Sequence, residues 1–234
     1  GGHALFLSPR DTQLGRGEPI KDTARVLGRM VHGAIIRTFD QNDVVDFAKY
    51  SGIPTINALT DEEHPCQILA DLMTIREKLD RWQSRKIAFI GDGDNNMARS
   101  WMWAAKHLDL QLTVAAPESC LPPAEFMERL DAPNVTLTTD AVEAANNADV
   151  LNTDVWLSMG QEDQSEKESL FDDYQINREL LSHAAEGHIV LHCLPAYRGK
   201  EITEDVLEEH ADSIFQQSEN RLHAQKAVLY WLMR

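Results

Sequence analysis

The length, composition and charge of the chain narrow the function classes open to it. Its 234 residues suffice for one large or two modest domains, and a hydrophobic content of 43% is typical of a globular protein with a buried core. The 38 acidic residues outnumber the 22 basic ones, and the net charge of −16 argues against a nucleic-acid or anionic-membrane surface. No apolar run approaches the roughly 20 residues of a membrane-spanning helix, and no signal-peptide pattern occurs, so we expect a cytoplasmic protein.

The three cysteines, Cys66, Cys120 and Cys193, argue against a disulfide framework or a zinc site. Their number is odd, and they lack the close pairs that are typical of zinc ligands. We therefore expect free thiols and no bound metal.

The first part of the chain predicts an alternation of strands and helices. An apolar strand is expected at residues 3–7, and the polar run that follows, through residue 18, is typical of a long loop. Apolar spacing then predicts a helix, a strand, a second helix and a second strand, at residues 20–30, 34–37, 44–50 and 54–57. This alternation favours a parallel sheet with helical crossovers.

A long helix predicted over residues 64–79 links this part to a second alternation. Further strands are predicted at residues 86–90, 110–116, 135–137 and 149–152 and from residue 189 onward. Further helices are predicted at residues 97–107, 123–130, 141–146 and 221–233. The polar segment 161–173 is expected to be a mobile surface loop. The pattern indicates the α/β class, with two domains that are each a mainly parallel sheet flanked by helices.

The end of the strand that begins at Ile189 is the first candidate site. His192 and Cys193 stand where the strand stops, because Pro195 cannot continue it. Open α/β sheets bind ligands at the carboxyl ends of their strands, so a thiol beside an imidazole suits a small polar substrate here. Cys193 is either a nucleophile with His192 as its base or a buried, non-covalent residue, and no third residue is clearly placed to orient the imidazole.

The turn Gly91-Asp92-Gly93 is a second candidate. A glycine-rich turn between a strand and a helix is typical of dinucleotide sites, and Glu118 after the next strand is suited to a ribose hydroxyl. The fingerprint of such sites has a third small residue where this chain has Asn96. The alternative interpretation is a tight strand-to-helix turn that offers its amides to some other ligand.

His64 and Gln67 stand at the predicted start of the long helix. Free N–H groups and the helix dipole favour an anion or a carbonyl oxygen at such a place. The structural alternative is a capping box with His64 as the N-terminal cap and Gln67 as its partner, and the spacing favours neither interpretation. Arg37, at the end of a predicted strand, is either an anion ligand or a member of a surface ion pair.

Asp154 begins a segment that follows a strand and ends in a turn at Gly160. An aspartate at this place can accept a substrate ammonium group, and backbone groups near Gly160 can bind a carboxylate. The alternative interpretation is an ordinary turn with a buried Trp156.

Taken together, these segments resemble the ornithine carbamoyltransferases over essentially the whole chain. The resemblance is carried by LFLSPRDTQLGRGEPIKDTARVLGRM, HPCQILAD, GDGDNNMARSW, TDVWLSMGQE, HCLPAYRGKEIT and SENRLHAQKA, in the order of the family. It implies the two-domain transcarbamylase fold, with residues 1–75 and 217–234 binding carbamoyl phosphate and residues 76–216 binding L-ornithine. It also implies a homotrimer, or a multiple of trimers, with active sites shared between subunits.

The resemblance implies a role for each matching site residue. The implied carbamoyl phosphate ligands are Arg37, His64, Gln67, Cys193, Leu194 and Arg221, with Gln13 reaching into the site of a neighbouring subunit. The implied ornithine contacts are Asn96, Asp154, Ser158 and Met159. Direct attack of the ornithine side-chain amine is implied, with Cys193, His64 and Arg37 as the catalytic residues and with no cofactor, metal or covalent enzyme intermediate.

The chain departs from the family pattern in two places. The family has an upstream Ser-Thr-Arg-Thr-Arg motif in its phosphate site, which is absent from this sequence, and we expect an N-terminally truncated chain of reduced activity. Tyr197 stands where the family commonly has histidine. The departures leave open a non-catalytic paralogue or fragment that binds ligands or subunits, and the glycine-rich turn leaves open a nicotinamide-dependent dehydrogenase.

Overall fold

The computed structural model describes residues 2–8, 17–108, 110–157 and 165–234. The chain forms two compact units, one of Gly1–Asp61 with Val228–Arg234 and the other of Glu62–Ala227. The domain boundaries that the resemblance implies lie elsewhere and concern ligand binding rather than compactness, so they stay a prediction.

The first unit contains α1 (Ile20–Leu27), β1 (Ala34–Arg37), α2 (Gln41–Ser51) and β2 (Thr55–Leu59). The strands β1 and β2 pair in parallel, as the alternation predicts. The helix α1 ends earlier than predicted. The next residue, Gly28, lies so close to α2 that an added Cβ would stand 2.1 Å from the carbonyl oxygen of Ser51.

The strand predicted at residues 3–7 is wrong, because these residues have no regular structure and Phe6 is 92% exposed. An isolated extended segment leaves its backbone N–H and C=O groups to solvent. No strand in the described part of the chain pairs with this segment. Apolar composition alone therefore predicted a strand that lacks a neighbour.

The second unit is built on a five-stranded parallel sheet. Its strands are β3 (Lys86–Ile90), β4 (Gln111–Ala115), β5 (Val135–Thr138), β6 (Val150–Thr153) and β7 (Ile189–His192), in the order β5-β4-β3-β6-β7. All four strand pairs are parallel. The chain runs outward from β3 in one direction and then from β6 in the other, so the order reverses between them. Ligands of open α/β sheets bind at such a reversal, outside the carboxyl ends of the strands.

Helices cover both faces of this sheet, as the α/β prediction requires. The helices are α3 (Pro65–Leu79), α4 (Asn96–Leu108), α5 (Ala124–Leu130), α6 (Ala141–Ala145), α7 (Ser165–Glu168), α8 (Arg178–Leu181), α9 (Glu204–Glu209) and α10 (Ala211–Leu232). Alternate residues of β3 pack on opposite faces: Ile87 and Phe89 join the core with α3, α4 and α5, and Ala88 and Ile90 join the core with α6, α8 and α9. No helix in the described residues is long and apolar enough to span a membrane.

Two predictions along the second unit differ from the structure. The segment expected to be a mobile loop contains α7 and a 3₁₀ helix at Ser169–Tyr174, and buried Phe171 stacks on Trp156 at a centroid distance of 5.5 Å. The helix expected at residues 221–233 begins ten residues earlier. Its first turns bury polar side chains, Ser213, Gln217 and Asn220, so hydrophobic periodicity does not reveal them.

Candidate active site

Two candidate residues meet at the carboxyl ends of neighbouring strands. Asp154 follows β6 and Cys193 follows β7, and the Cys193 thiol donates a hydrogen bond to Asp154 Oδ1 with a sulfur–oxygen distance of 2.9 Å. Asp154 Oδ1 also accepts the Val155 N–H at 2.8 Å. Both side chains are only partly buried. A ligand at this edge of the sheet can therefore reach the pair.

The protonation states of this pair favour a neutral thiol. Burial raises the pKa of Cys193 well above its usual range, and the charge of Asp154 raises it further. Burial also raises the pKa of Asp154, while the hydrogen bond from Cys193 lowers it. A thiolate is the nucleophilic form of cysteine, so a thiol held protonated in this way acts as a hydrogen-bond donor.

His192 shapes the turn that follows β7 rather than serving the thiol as a base. Its imidazole is buried, its Nδ1 accepts the Leu194 N–H at 2.9 Å, and its Nε2 lies 3.0 Å from Glu201 Oε1. Accepting at Nδ1 places the proton on Nε2, where it is donated to Glu201. Leu194 has φ +56°, in the left-handed region, and precedes a cis bond to Pro195. The buried His192–Glu201 pair thus holds a backbone conformation that leucine rarely adopts.

Asp154, His192 and Cys193 also place one potential metal-ligand atom each within 4.8 Å of one another. Both imidazole nitrogens of His192 are already engaged, one as the acceptor of Leu194 and one as the donor to Glu201. A metal ion would have to break one of these bonds, and the expected absence of a metal stays a prediction. The three cysteines are free thiols, as predicted.

The start of α3 contradicts the capping-box interpretation. His64 is the N-cap residue, but its side chain makes no capping hydrogen bond, and its own N–H is donated to Ser100 Oγ at 2.7 Å. Ser100 Oγ in turn donates to the carbonyl oxygen of Asn96 at 2.6 Å. The Gln67 amide points to Asp71 and Arg221 instead of returning to His64. The candidate residues at the starts of α3 and α4 are therefore linked through Ser100.

Arg221, on α10, joins the same region through Gln67. Its Nη1 donates to Gln67 Oε1 at 2.6 Å, and its charge lowers the pKa of Cys193 against the larger effect of burial. A guanidinium is thus present close to both Gln67 and Cys193. Three contacts in the second unit therefore link sequence-predicted residues: Cys193 with Asp154, Gln67 with Arg221, and His64 with Asn96 through Ser100, while Leu194 directly follows Cys193.

The polar side chains of the glycine-rich turn after β3 form hydrogen bonds and ion pairs with nearby protein groups. Asp92 Oδ1 accepts the Asp94 N–H at 3.2 Å and its Oδ2 pairs with Lys167 at 2.7 Å, while Asp94 pairs with Arg99 at 2.8 Å. Asn95 Oδ1 accepts the Ala98 N–H at 2.8 Å and so caps α4. Two carboxylates at this turn would repel a pyrophosphate, which argues against the dinucleotide interpretation.

The remaining candidates lie elsewhere. Arg37 ends β1 in the first unit, where its side chain is exposed and forms no hydrogen bond or ion pair with residues that the structure describes. Gln13, Ser158 and Met159 lie outside the described residues. Sequence reasoning missed Asp71, Gln217 and Glu201, which are buried polar residues in contact with the candidates. For Asp71 the available signal was a carboxylate inside an otherwise apolar helix pattern, whereas nothing in the sequence pattern marks Gln217 or Glu201.

Comparison with known proteins places both parts of the chain in one family. Residues 1–77 match the carbamoyl-P binding domain of the aspartate/ornithine carbamoyltransferases, and residues 83–232 match the Asp/Orn binding domain. The chain belongs to this family. The resemblance drawn from the motifs and the α/β fold of the transcarbamylases are thereby confirmed.

Several family members are similar along nearly the whole chain. An ornithine carbamoyltransferase of Akkermansia muciniphila is 67% identical over 232 residues, which are 98% of this chain and 76% of the relative. The solved ornithine carbamoyltransferase of Pyrococcus furiosus superposes with a TM-score of 0.91 at 45% identity, covering 100% of this chain and 76% of that one. The anabolic enzyme of Campylobacter jejuni gives a TM-score of 0.92 at 42% identity, over 99% and 79% of the two chains. These findings give no support to the dehydrogenase or the non-catalytic alternative.

Proposed function

We propose that this protein is a carbamoyltransferase that transfers the carbamoyl group of carbamoyl phosphate to the side-chain amine of L-ornithine. The products are L-citrulline and phosphate. The observation that carries the proposal is the Cys193–Asp154 pair at the carboxyl ends of β7 and β6, next to the reversal of strand order, with the Gln67–Arg221 pair in the same compact unit. Family membership and the ornithine carbamoyltransferase relatives support the same reaction.

Carbamoyl phosphate needs its carbonyl polarised and its phosphate neutralised. We assign the phosphate to Arg221, since the planar guanidinium can donate to two phosphate oxygens at once. For Arg37 the same role is proposed on the resemblance alone. We assign the carbonyl oxygen to His64 and Gln67, at the N-terminus of α3, where free N–H groups and the helix dipole favour negative charge. Donors fixed before the reaction stabilise the charge that grows on this oxygen as the amine attacks.

Ornithine must attack as a neutral amine. Asp154 can accept a hydrogen bond from the side-chain nitrogen of ornithine, and the Cys193 thiol donates to the same carboxylate. The resemblance adds the Leu194 carbonyl as a further contact at the reacting carbon. In the step itself a bond forms between this nitrogen and the carbamoyl carbon, and the bond from that carbon to the phosphate oxygen breaks. The phosphate leaves with the electron pair of the broken bond, and one of the two protons of the attacking nitrogen passes to the departing phosphate, which gives citrulline and hydrogen phosphate. Holding nitrogen and carbon in line is the main catalytic task.

The remaining assignments rest on the resemblance. Asn96, Ser158 and Met159 are proposed to contact the amino-acid end of ornithine, and Gln13 is proposed to enter the site of a neighbouring subunit. This last role requires a homotrimer or a multiple of trimers. Residues 1–75 with 217–234 are proposed to bind carbamoyl phosphate, and residues 76–216 to bind ornithine.

The test is citrulline formation from carbamoyl phosphate with three competing amines. Ornithine, putrescine and aspartate are each offered to the 234-residue chain and to the full product of its gene. We expect turnover with ornithine and far lower rates with the other two, because Asp154 and the amino-acid contacts select a diamine that carries a carboxylate. Equal use of putrescine would contradict the assignment of the amino-acid end, and carbamoyl-aspartate as the main product would contradict the ornithine proposal.

A further inference from the structure

A seam of buried polar side chains lies between α3 and α10 in the second unit. The interior of a helix pair is usually apolar, because a buried polar group without a partner is costly. Here the polar residues recur on one face of each helix and pair across the seam. They are the buried residues Gln67, Asp71 and Thr74 of α3 with the buried Gln217 and Asn220 and the partly buried Arg221 of α10.

Asp71 is the centre of this seam. Its side chain is fully buried, and its Oδ1 accepts hydrogen bonds from Gln67 Nε2 at 2.8 Å and from Gln217 Nε2 at 2.6 Å. A primary amide presents nitrogen on one side and oxygen on the other. With both nitrogens held by Asp71, both amide oxygens must point away from it.

The two amide oxygens reach the two sides of the candidate site. Gln67 Oε1 accepts from Arg221 at 2.6 Å, and Gln217 Oε1 accepts the backbone N–H of His192 at 2.9 Å. His192 directly precedes Cys193. One carboxylate oxygen therefore sets the orientation of the amide at the start of α3 and also holds the end of β7.

We propose that Asp71 is a positioning residue for carbamoyl transfer, which acts through Gln67 and Gln217 to fix the Gln67–Arg221 pair and the turn at Cys193 relative to each other. The inference rests on the function proposed above. Asp71 itself touches neither substrate. An error of about 1 Å between reacting groups can lower a rate by about 100-fold, so a shared anchor for both sides of the site matters more than either hydrogen bond alone.

A purely structural role does not account for an acid at this position. Burial raises the pKa of Asp71 to about 7, although the hydrogen bonds from the two glutamines and the charge of Arg221 lower it. Its Oδ2 has no hydrogen-bond partner within the described residues. A buried ionic group can often be replaced, together with its partners, by well-packed apolar residues without loss of stability. An apolar residue in place of Asp71 would no longer orient the amides of Gln67 and Gln217.

Two substitutions of Asp71 separate positioning from packing. Asp71→Asn keeps an acceptor oxygen between the two amides, whereas Asp71→Leu removes it at similar volume. For Asp71→Leu we expect kcat to fall roughly 10- to 100-fold, the size of a lost hydrogen bond to a charged group, with a smaller change in KM. For Asp71→Asn we expect kcat to stay within about threefold of the unmodified protein, a rescue by the conservative variant.

Thr74→Val is the matched control. Thr74 is equally buried in the same seam, donates to Ala70 and accepts from Asn220, but within the described residues it forms no hydrogen bond with Gln67 or Gln217. It tests general damage to the packing of α3 against α10, and we expect its kcat to be unchanged. An Asp71→Leu protein that stays folded and keeps kcat within about threefold would overturn the proposal, as would an equal loss in Thr74→Val.

A second measurement needs no catalysis. The groups whose charge acts with that of Asp71 are Arg221, Asp154 and Cys193. In side-chain amide NMR we expect the Gln67 and Gln217 signals to move together as pH rises through about 7, with no such movement in Asp71→Asn or at exposed Gln111. Independent movement of the two signals overturns the proposal even in an active enzyme. Joint movement in a protein that forms no citrulline overturns the proposed function and leaves the anchor in place.

Discussion

The turn after β3 and the turn after β6 leave neighbouring strands at the same edge of one sheet, but their polar side chains are engaged differently. In the first turn Asp92 and Asp94 pair with Lys167 and Arg99. In the second turn Asp154 accepts a hydrogen bond from a thiol and remains partly exposed without a described cation as its partner. The number of acidic residues at a sheet edge therefore does not mark the site. The site is marked instead by a carboxylate that can still accept a hydrogen bond from a ligand.

The same contrast separates the arginines. Arg99 forms an ion pair with Asp94, and Arg85 donates hydrogen bonds to Asp149 and to the carbonyl oxygen of Leu79. Arg37 stands at the end of β1 with no hydrogen-bond partner in the described part of the chain. Engaged side chains belong to the fold, and an unengaged one at a strand end is available to a ligand.

Asp154→Asn is expected to have the largest effect. An amide cannot supply the negative charge that organises the ornithine nitrogen, so we expect kcat/KM for ornithine to fall by roughly 1,000-fold, as when a group that stabilises a transition state is lost. Carbamoyl phosphate binding, measured by calorimetry, should change little. Asp94→Asn is the control from the engaged turn and should keep kcat/KM. Equal loss of ornithine use and of carbamoyl phosphate affinity would count against the amine assignment.

Arg37→Ala should weaken carbamoyl phosphate binding by about 1.5–3 kcal/mol, the value of a hydrogen bond to a charged group. Calorimetric titration with carbamoyl phosphate measures this change. Arg29→Ala, another exposed arginine in the same compact unit, is the control and should bind normally. If the two variants bind alike, Arg37 is an ordinary surface residue.

Cys193→Ser should lower turnover by only about tenfold, since a hydroxyl can still donate to Asp154. The raised pKa of Cys193 adds a pH prediction: alkylation of this thiol should be slow at neutral pH and should accelerate as the pH rises and the thiolate forms. Both follow from a thiol that donates rather than attacks. A carbamoylated Cys193 trapped during turnover and found by mass spectrometry would refute the non-covalent mechanism.

Lys167→Ala is expected to have the smallest effect. It removes the partner of the nearly buried Asp92 and should lower the free energy of unfolding by about 1 kcal/mol. Denaturant unfolding measures the loss, with exposed Lys226→Ala as the neutral control. Carbamoyl phosphate binding should not change. A gain in stability would show that the turn after β3 is not held by this ion pair.

The strands and most helices could be predicted from the sequence because their buried side chains are apolar and recur with the period of the element. β1 and β3 begin and end where predicted, since each is a short apolar run bounded by turn residues. The first half of α10 could not be predicted in this way. Its buried residues Ser213, Gln217 and Asn220 are polar, and their partners come from other elements. Apolar residues 3–7 gave the opposite error, as a strand exists only where a neighbour pairs with it.

The candidate residues at the ends of strands could be predicted from the sequence. The contacts between helices that hold them could not. Cys193 and Asp154 stand at strand ends, so sequence order alone placed them at one edge of the sheet. Their hydrogen bond, the engagement of His192 with Glu201 and the Asp71 anchor depend on contacts between residues far apart in the chain. Such contacts leave no periodic signal, which is why the nucleophile and capping-box alternatives stayed open until the geometry was known.

In the proposed reaction the side-chain nitrogen of ornithine attacks the carbamoyl carbon directly. The most direct measurement is NMR of the product formed from ¹³C-carbamoyl phosphate and ornithine labelled with ¹⁵N at its side-chain nitrogen. We expect citrulline with a one-bond ¹³C–¹⁵N coupling, which appears without a lag and without ¹³C-labelled protein. No coupled product, or ¹³C carried first by Cys193, would contradict it.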